Sequence, residues 1–184
     1  MSSDTSKSGA NNIVGGAGDE KLVGGDGDDI LDGASGSDSL NGGAGADALI
    51  YNLTQNSAPG TVDMYTGGSG KDTLSLDFTL AQWLDPLYQE QIAAYLAHLA
   101  ALTNATNGEL SNGLASDFTF KFGTATLTAQ MIEALKAVVA GVELNAADAL
   151  VQANADAAAM TEDGPSVQIN VLQNDDVADL VRSI

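Results

Sequence analysis

The sequence predicts a mainly β chain wound as a solenoid, with a capping α-helix and further strands behind it. Three observations carry this reading. A nine-residue phrase recurs between Gly15 and Ser75, and each copy places a large apolar residue at its eighth position. Sixteen of the 21 glycines precede Ser75, after which the pattern turns first helical and then alternating.

The phrase reads GGAGDEKLV (15–23), GGDGDDILD (24–32), GASGSDSLN (33–41), GGAGADALI (42–50) and, after a gap, GGSGKDTLS (67–75). Its general form is G-G-x-G-x-D-x-U-x, with U apolar. Glycines at positions one, two and four permit the positive φ and close backbone approach of a tight turn. The aspartate at position six offers a hard anionic oxygen, the ligand type calcium prefers. Leu22, Leu31, Leu40, Leu49 and Leu74 occupy position eight, in strands too short to be stable alone. Stacked copies would bury these leucines as a ladder. Two weaker copies extend the array. Residues 6–14 keep Gly9 and Ile13 with Asn11 in the aspartate slot; residues 58–66 keep Asp63 and Tyr65 but lose the glycine pattern. Tyr51 to Ser57 intervene, read as the continuation of a strand over Leu49–Leu53 and a loop bulging outward.

The repeated motif resembles the calcium-binding nonapeptide of RTX (repeats-in-toxin, hemolysin-type) proteins. That resemblance implies a parallel β-roll in which each nonapeptide makes half a coil. Alternate copies then stack, with Asn11, Asp29, Asp47 and Asp72 on one edge and Glu20, Asp38 and Asp63 on the other. Calcium would lie between neighbouring turns, above all at Asp29/Asp47 and Asp47/Asp72, with Glu20/Asp38 and Asp38/Asp63 opposite. Turn carbonyls would complete the sites, at Gly16, Gly18, Gly25, Gly27, Gly36, Gly43, Gly45, Gly68 and Gly70. A disordered Gly/Asp/Ser linker is the plain alternative, but a linker has no reason to keep an apolar residue two places after each aspartate. A roll without metal would leave a column of like charges along one edge.

Composition fits this setting. The formal net charge is −19, from 25 acidic and 6 basic residues. Such a surface disfavours nucleic acid and anionic lipid and attracts divalent cations. There is no cysteine, so disulfides and thiolate metal sites are excluded. MSSDTSKSGANN lacks the apolar core of a signal peptide, and no run is long and apolar enough to span a membrane. Signal-peptide-independent type I export to the exterior or the cell surface is what the resemblance implies.

Beyond the repeats, Tyr88, Ile92, Tyr95, Leu96, Leu99 and Leu102 recur at helical spacing. Asp85 reads as the N-cap and Pro86 as the first helical residue, with Trp83 and Leu84 packing back beneath. This helix is expected to cover an open end or flank of the roll, with Ile92, Leu96 and Leu99 against β-structure. Phe118, Phe120 and Phe122 alternate with Thr119 and Lys121, a strand pattern ending at Gly123. Residues 131–144 admit either a helix or two strands about Gly141; strands extending the same sheets are favoured. The domain reading is thus a roll over 1–77, a helix-plus-strands cap over 78–145, and a linker with the start of another unit over 146–184. In that last part Glu162-Asp163-Gly164, Val167–Leu172 and Asn174-Asp175 resemble the opening strand of the Ig-like, cadherin-like tandem repeats of bacterial adhesins.

No enzyme is expected. The chain has one histidine, His98, on the predicted helix, and no nucleophile-elbow motif. Zinc would lack a second histidine and any thiolate. Some RTX modules cleave themselves at an Asp-Pro bond, but helix capping already accounts for Asp85-Pro86. Ranks of outward threonine, as ice-binding solenoids carry, are missing from Lys21, Ile30, Ser39, Ala48, Met64 and Thr73. The functional expectation is a calcium-binding structural module of a secreted or surface adhesin that reaches a host or biofilm ligand through the full-length protein. The alternative is an accessory domain of a secreted lipase or metalloprotease.

Overall fold

The computed structural model describes residues 2–5, 8–103 and 117–144. The linker and the Ig-like motif expected over 146–184 lie outside the described residues.

Each nonapeptide contributes one short strand, and successive strands alternate between two sheets. The first sheet takes β1 (Ser2–Thr5), β3 (Glu20–Asp26), β5 (Ser39–Ala44) and β7 (Val62–Ser69). The second takes β2 (Asn12–Val14), β4 (Ile30–Asp32), β6 (Ala48–Asn52) and β8 (Thr73–Phe78). All their pairings are parallel. The register sets Leu22 beside Leu40 and Leu40 beside Tyr65 in one sheet, and Ile13, Leu31, Leu49 and Leu74 in line in the other. All seven side chains are buried between the sheets. No single three-residue strand could hold this geometry alone; each is stable because the coils before and after it complete its hydrogen bonds and its ladder. The architecture is a parallel β-roll.

The inserted loop begins one residue earlier than the sequence suggests. β6 stops at Asn52, whose side-chain oxygen accepts from the Thr54 and Gln55 amides at 3.0 and 3.1 Å and so starts a turn. Leu53 is buried from that turn rather than from the strand.

A further coil without glycine turns follows. β10 (Ala125–Gln130) lies parallel to β7, and β11 (Ala134–Val139) parallel to β8. β9 (Phe118–Phe122) and β12 (Val142–Leu144) fold back antiparallel on them, so each sheet ends in a hairpin. Residues 134–144 are strands rather than helix. Ala140 and Gly141 both take positive φ, +50° and +81°, as the tightest hairpin turn demands.

Between roll and extra coil run α1 (Leu80–Trp83) and α2 (Pro86–Thr103). Thr79 and Gln82 form a reciprocal capping box on α1. The Leu87 amide donates to Asp85 Oδ1 at 2.9 Å, so Asp85 caps α2 and Pro86 opens it. The buried face of α2 is Ile92, Tyr95, Leu99 and Leu102; Leu96, expected to share it, is only half-buried. Tyr95 packs edge-on against Phe120 at 4.9 Å and Tyr88 against Phe122 at 5.6 Å, which lays the helix over β9 at the closing end of the roll. Trp83 is buried against Phe78, with ring centroids 5.5 Å apart. Leu84 does not join it but is 45% exposed, because one residue further around a helical turn points outward.

Candidate metal centre

The roll has two turn edges. On one, the chain passes from the first sheet to the second through 27–29, 45–47 and 70–72. On the other it returns through 15–19, 33–38 and 53–61. The aspartates of position six stand in columns along these edges. On the first, Asn11 N–H donates to Asp29 Oδ1 at 2.7 Å, Asp29 N–H to Asp47 Oδ1 at 2.8 Å, and Asp47 N–H to Asp72 Oδ1 at 2.8 Å. On the second, Glu20 N–H donates to Asp38 Oδ1 and Asp38 N–H to Asp63 Oδ1, both at 2.8 Å. One carboxylate oxygen of each aspartate is thus committed to the coil before it.

The other oxygen has no such partner. Oδ2 of Asp29, Asp38, Asp47, Asp63 and Asp72 is buried, and no donor reaches it among the described residues. A buried anionic oxygen without a donor is costly and calls for a cation. Among the described residues no lysine or arginine pairs with these aspartates; the ion pair there, Lys136 with Glu143 at 2.7 Å, belongs to the cap hairpin. Burial pushes Asp38, Asp47 and Asp72 up to about 6 and Asp63 up to about 7, with neighbouring carboxylates adding to the rise.

Carbonyl oxygens approach the same places. A Cβ added at Gly24 would collide with both Asp29 Oδ2 and the Gly42 carbonyl; one at Gly42 would collide with Asp47 Oδ2 and lie 2.6 Å from the Gly67 carbonyl. The first glycine of each repeat therefore keeps open the space beside its own aspartate. The second and fourth glycines stack on one another instead. Gly25, Gly43 and Gly68 form one column, Gly27, Gly45 and Gly70 another, and Gly18 lies against Gly36. Gly16 lies beside Glu20, whose Oε2 accepts from the Gly16 amide at 3.0 Å.

Residues 7–40 and 14–49 match the family model of the RTX calcium-binding nonapeptide repeat, with four copies. The chain carries RTX repeats. No curated protein and no solved structure matches it. RTX repeats are a structural calcium-binding module, and the donors in these turns suit that ion. The oxygens are carboxylates and peptide carbonyls, with no imidazole or thiolate among the edge residues, a hard-ligand set that fits calcium and not zinc. Among the described residues no three acidic, histidine or cysteine side chains converge. Each gap offers two carboxylates, so backbone oxygens must supply the rest. Among the described residues, too, no helix is long and apolar enough to cross a membrane.

Two sets of residues here escape a reading by motif. The first glycines, Gly15, Gly24, Gly33, Gly42 and Gly67, open every full copy, which is the signal that could have found them. The other is Glu133. Its Oε2 accepts from the Asp72 amide at 2.8 Å, so it continues the first column beyond the last repeat. Its signal is the spacing Glu133-Ala134-Leu135, the same acid-x-Leu step as Asp72-Thr73-Leu74, to which the register aligns it.

Proposed function

We propose that the chain is a non-enzymatic, calcium-gated folding module of a secreted or cell-surface RTX protein, of the adhesin type. The observation that carries this is the set of buried Oδ2 atoms, one per half-coil from Asp29 to Asp72, four of them facing glycine-opened turns. Calcium held by Asp29/Asp47, Asp47/Asp72, Glu20/Asp38 and Asp38/Asp63 with turn carbonyls would neutralise these columns. At the top of the first edge the Asn11 side-chain amide already donates to Asp29 Oδ1 at 2.8 Å, which leaves that gap the least in need of an ion.

Metal binding to a site made by folding is itself folding free energy. Where calcium is scarce the charged columns hold the chain open and exportable; outside, millimolar calcium closes it. Roll and cap, residues 1–145, act as one unit in this reading, and 146–184 lead into the next. Far-UV circular dichroism under calcium titration tests it. β-structure should appear cooperatively with calcium and vanish with chelator. Magnesium should substitute poorly, since it keeps its waters and demands strict octahedral geometry. A spectrum indifferent to calcium would sink the proposal.

A further inference from the structure

We infer that Glu133, which lies outside the repeats, closes an additional calcium site with Asp72 and the Met131 carbonyl, and that this site docks the helical cap onto the roll. The inference rests on reading the edge columns as calcium sites, and extends it to a residue that no repeat contains.

The geometry of the gap between 72 and 133 copies that of the gaps above it. The Asp72 amide donates to Glu133 Oε2 at 2.8 Å, as the Asp47 amide donates to Asp72 Oδ1 at 2.8 Å. Asp72 is wholly buried and its Oδ2 has no donor among the described residues. The Met131 carbonyl lies over Gly67 as the Gly67 carbonyl lies over Gly42 and the Gly42 carbonyl over Gly24. Carboxylate, neighbouring carboxylate and carbonyl therefore recur in the same relation a third time. Glu133 is buried as well, so its carboxylate sets a second negative charge beside the unpartnered Oδ2 of Asp72.

The choice of glutamate has a steric reason. The repeat turn spends six residues, Gly67 to Asp72, where the cap turn spends three, Met131 to Glu133. The shortened turn forces Met131 to φ +50°, and the extra methylene of glutamate restores the reach that aspartate would lose. The second edge shows the contrast. There the residue in register with Asp63 is Leu127, so that column simply stops. Only the first edge carries its acidic column into the cap. The Ile132 carbonyl, next to Glu133, accepts from the Tyr95 hydroxyl at 3.2 Å, which ties α2 to the same turn.

The test compares the full chain with Glu133→Gln, an uncharged isostere, and Glu133→Asp, which keeps the charge but shortens the reach. Calorimetric calcium titration gives the number of ions. Fluorescence of Trp83, the chain's single tryptophan, buried between roll and cap, reports docking. Glu133→Gln should bind one calcium fewer, with its Trp83 midpoint at roughly tenfold higher calcium, the scale on which metal sites weaken when a supporting partner is lost. Glu133→Asp should keep the fold and show a smaller shift in the same direction. An unchanged ion count in Glu133→Gln overturns the inference, as does docking at lower calcium, which would mean that Glu133 merely repels Asp72. If Glu133→Gln does not fold at saturating calcium, Glu133→Asp decides: a wild-type count and midpoint overturn the site. Failure of the wild-type chain to bind calcium at all would instead overturn the reading of the repeats.

Discussion

Asp47 is bonded on both sides along its edge: its Oδ1 accepts from Asp29 N–H, and its own N–H donates to Asp72. It therefore borders two of the proposed calcium gaps. Asp63 borders one, since its next neighbour in register is Leu127. Asp47→Ala should accordingly raise the calcium midpoint of folding more than Asp63→Ala does. Each substitution also strips an acceptor from a neighbouring amide, a loss of about 1–3 kcal/mol when that amide is buried. This common cost cancels in the comparison, so equal midpoints would mean that the shared-ligand arrangement is wrong.

At the level of elements, α2 decides whether roll and cap fold together. Ile92 is fully buried under the closing hairpin, whereas Leu96 is only half-buried. Ile92→Ala should cost about 2–5 kcal/mol, the range for large-to-small changes in a core, and Leu96→Ala clearly less. If the cap is coupled to the roll, Ile92→Ala should also move the calcium midpoint upward although it touches no ligand, and hydrogen exchange of α2 should slow on adding calcium. The sequence shows the helix but not this ranking. Residues 95 and 96 both lie near the apolar side of the helical wheel, and only the position of Phe118 and Phe120 makes Tyr95 the one turned inward. The leucine ladder and both aspartate columns are legible because they repeat every nine residues. Glu133 is not, because its turn has lost every glycine and keeps only the acid-x-Leu step. The four-residue α1 is too short to leave a periodic trace.

For the molecule as a whole, the acidic columns make stability depend on pH in opposite senses with and without calcium. Burial raises Asp38, Asp47 and Asp72 to about 6 and Asp63 to about 7, above their ordinary 3.8. A carboxyl raised in the folded state stabilises it fully below the unfolded value, and that contribution is lost as pH rises through the folded one. The calcium-free chain should therefore be most ordered near pH 4 and least ordered above pH 7, which circular dichroism in chelator would show. Calcium competes for the same oxygens, so its affinity should climb between about pH 5 and pH 7.5, with protons released on binding. A calcium-free chain that is more ordered at pH 8 than at pH 4 would contradict this. The insertion after β6 has a different kind of consequence. Partners along the edges lie 18 residues apart above it and 25 across it, yet the columns stay in line. All of the added length is taken up on the second edge, by exposed residues such as Ser57 to Gly60, while the first edge keeps its turn at 70–72 unchanged. Enlarging a loop that is already open is cheap, about 0.6 kcal/mol for each doubling. The roll thus carries a natural splice point: an epitope tag or a small reporter domain set between Ser57 and Gly60 should ride on the folded coil without disturbing its count.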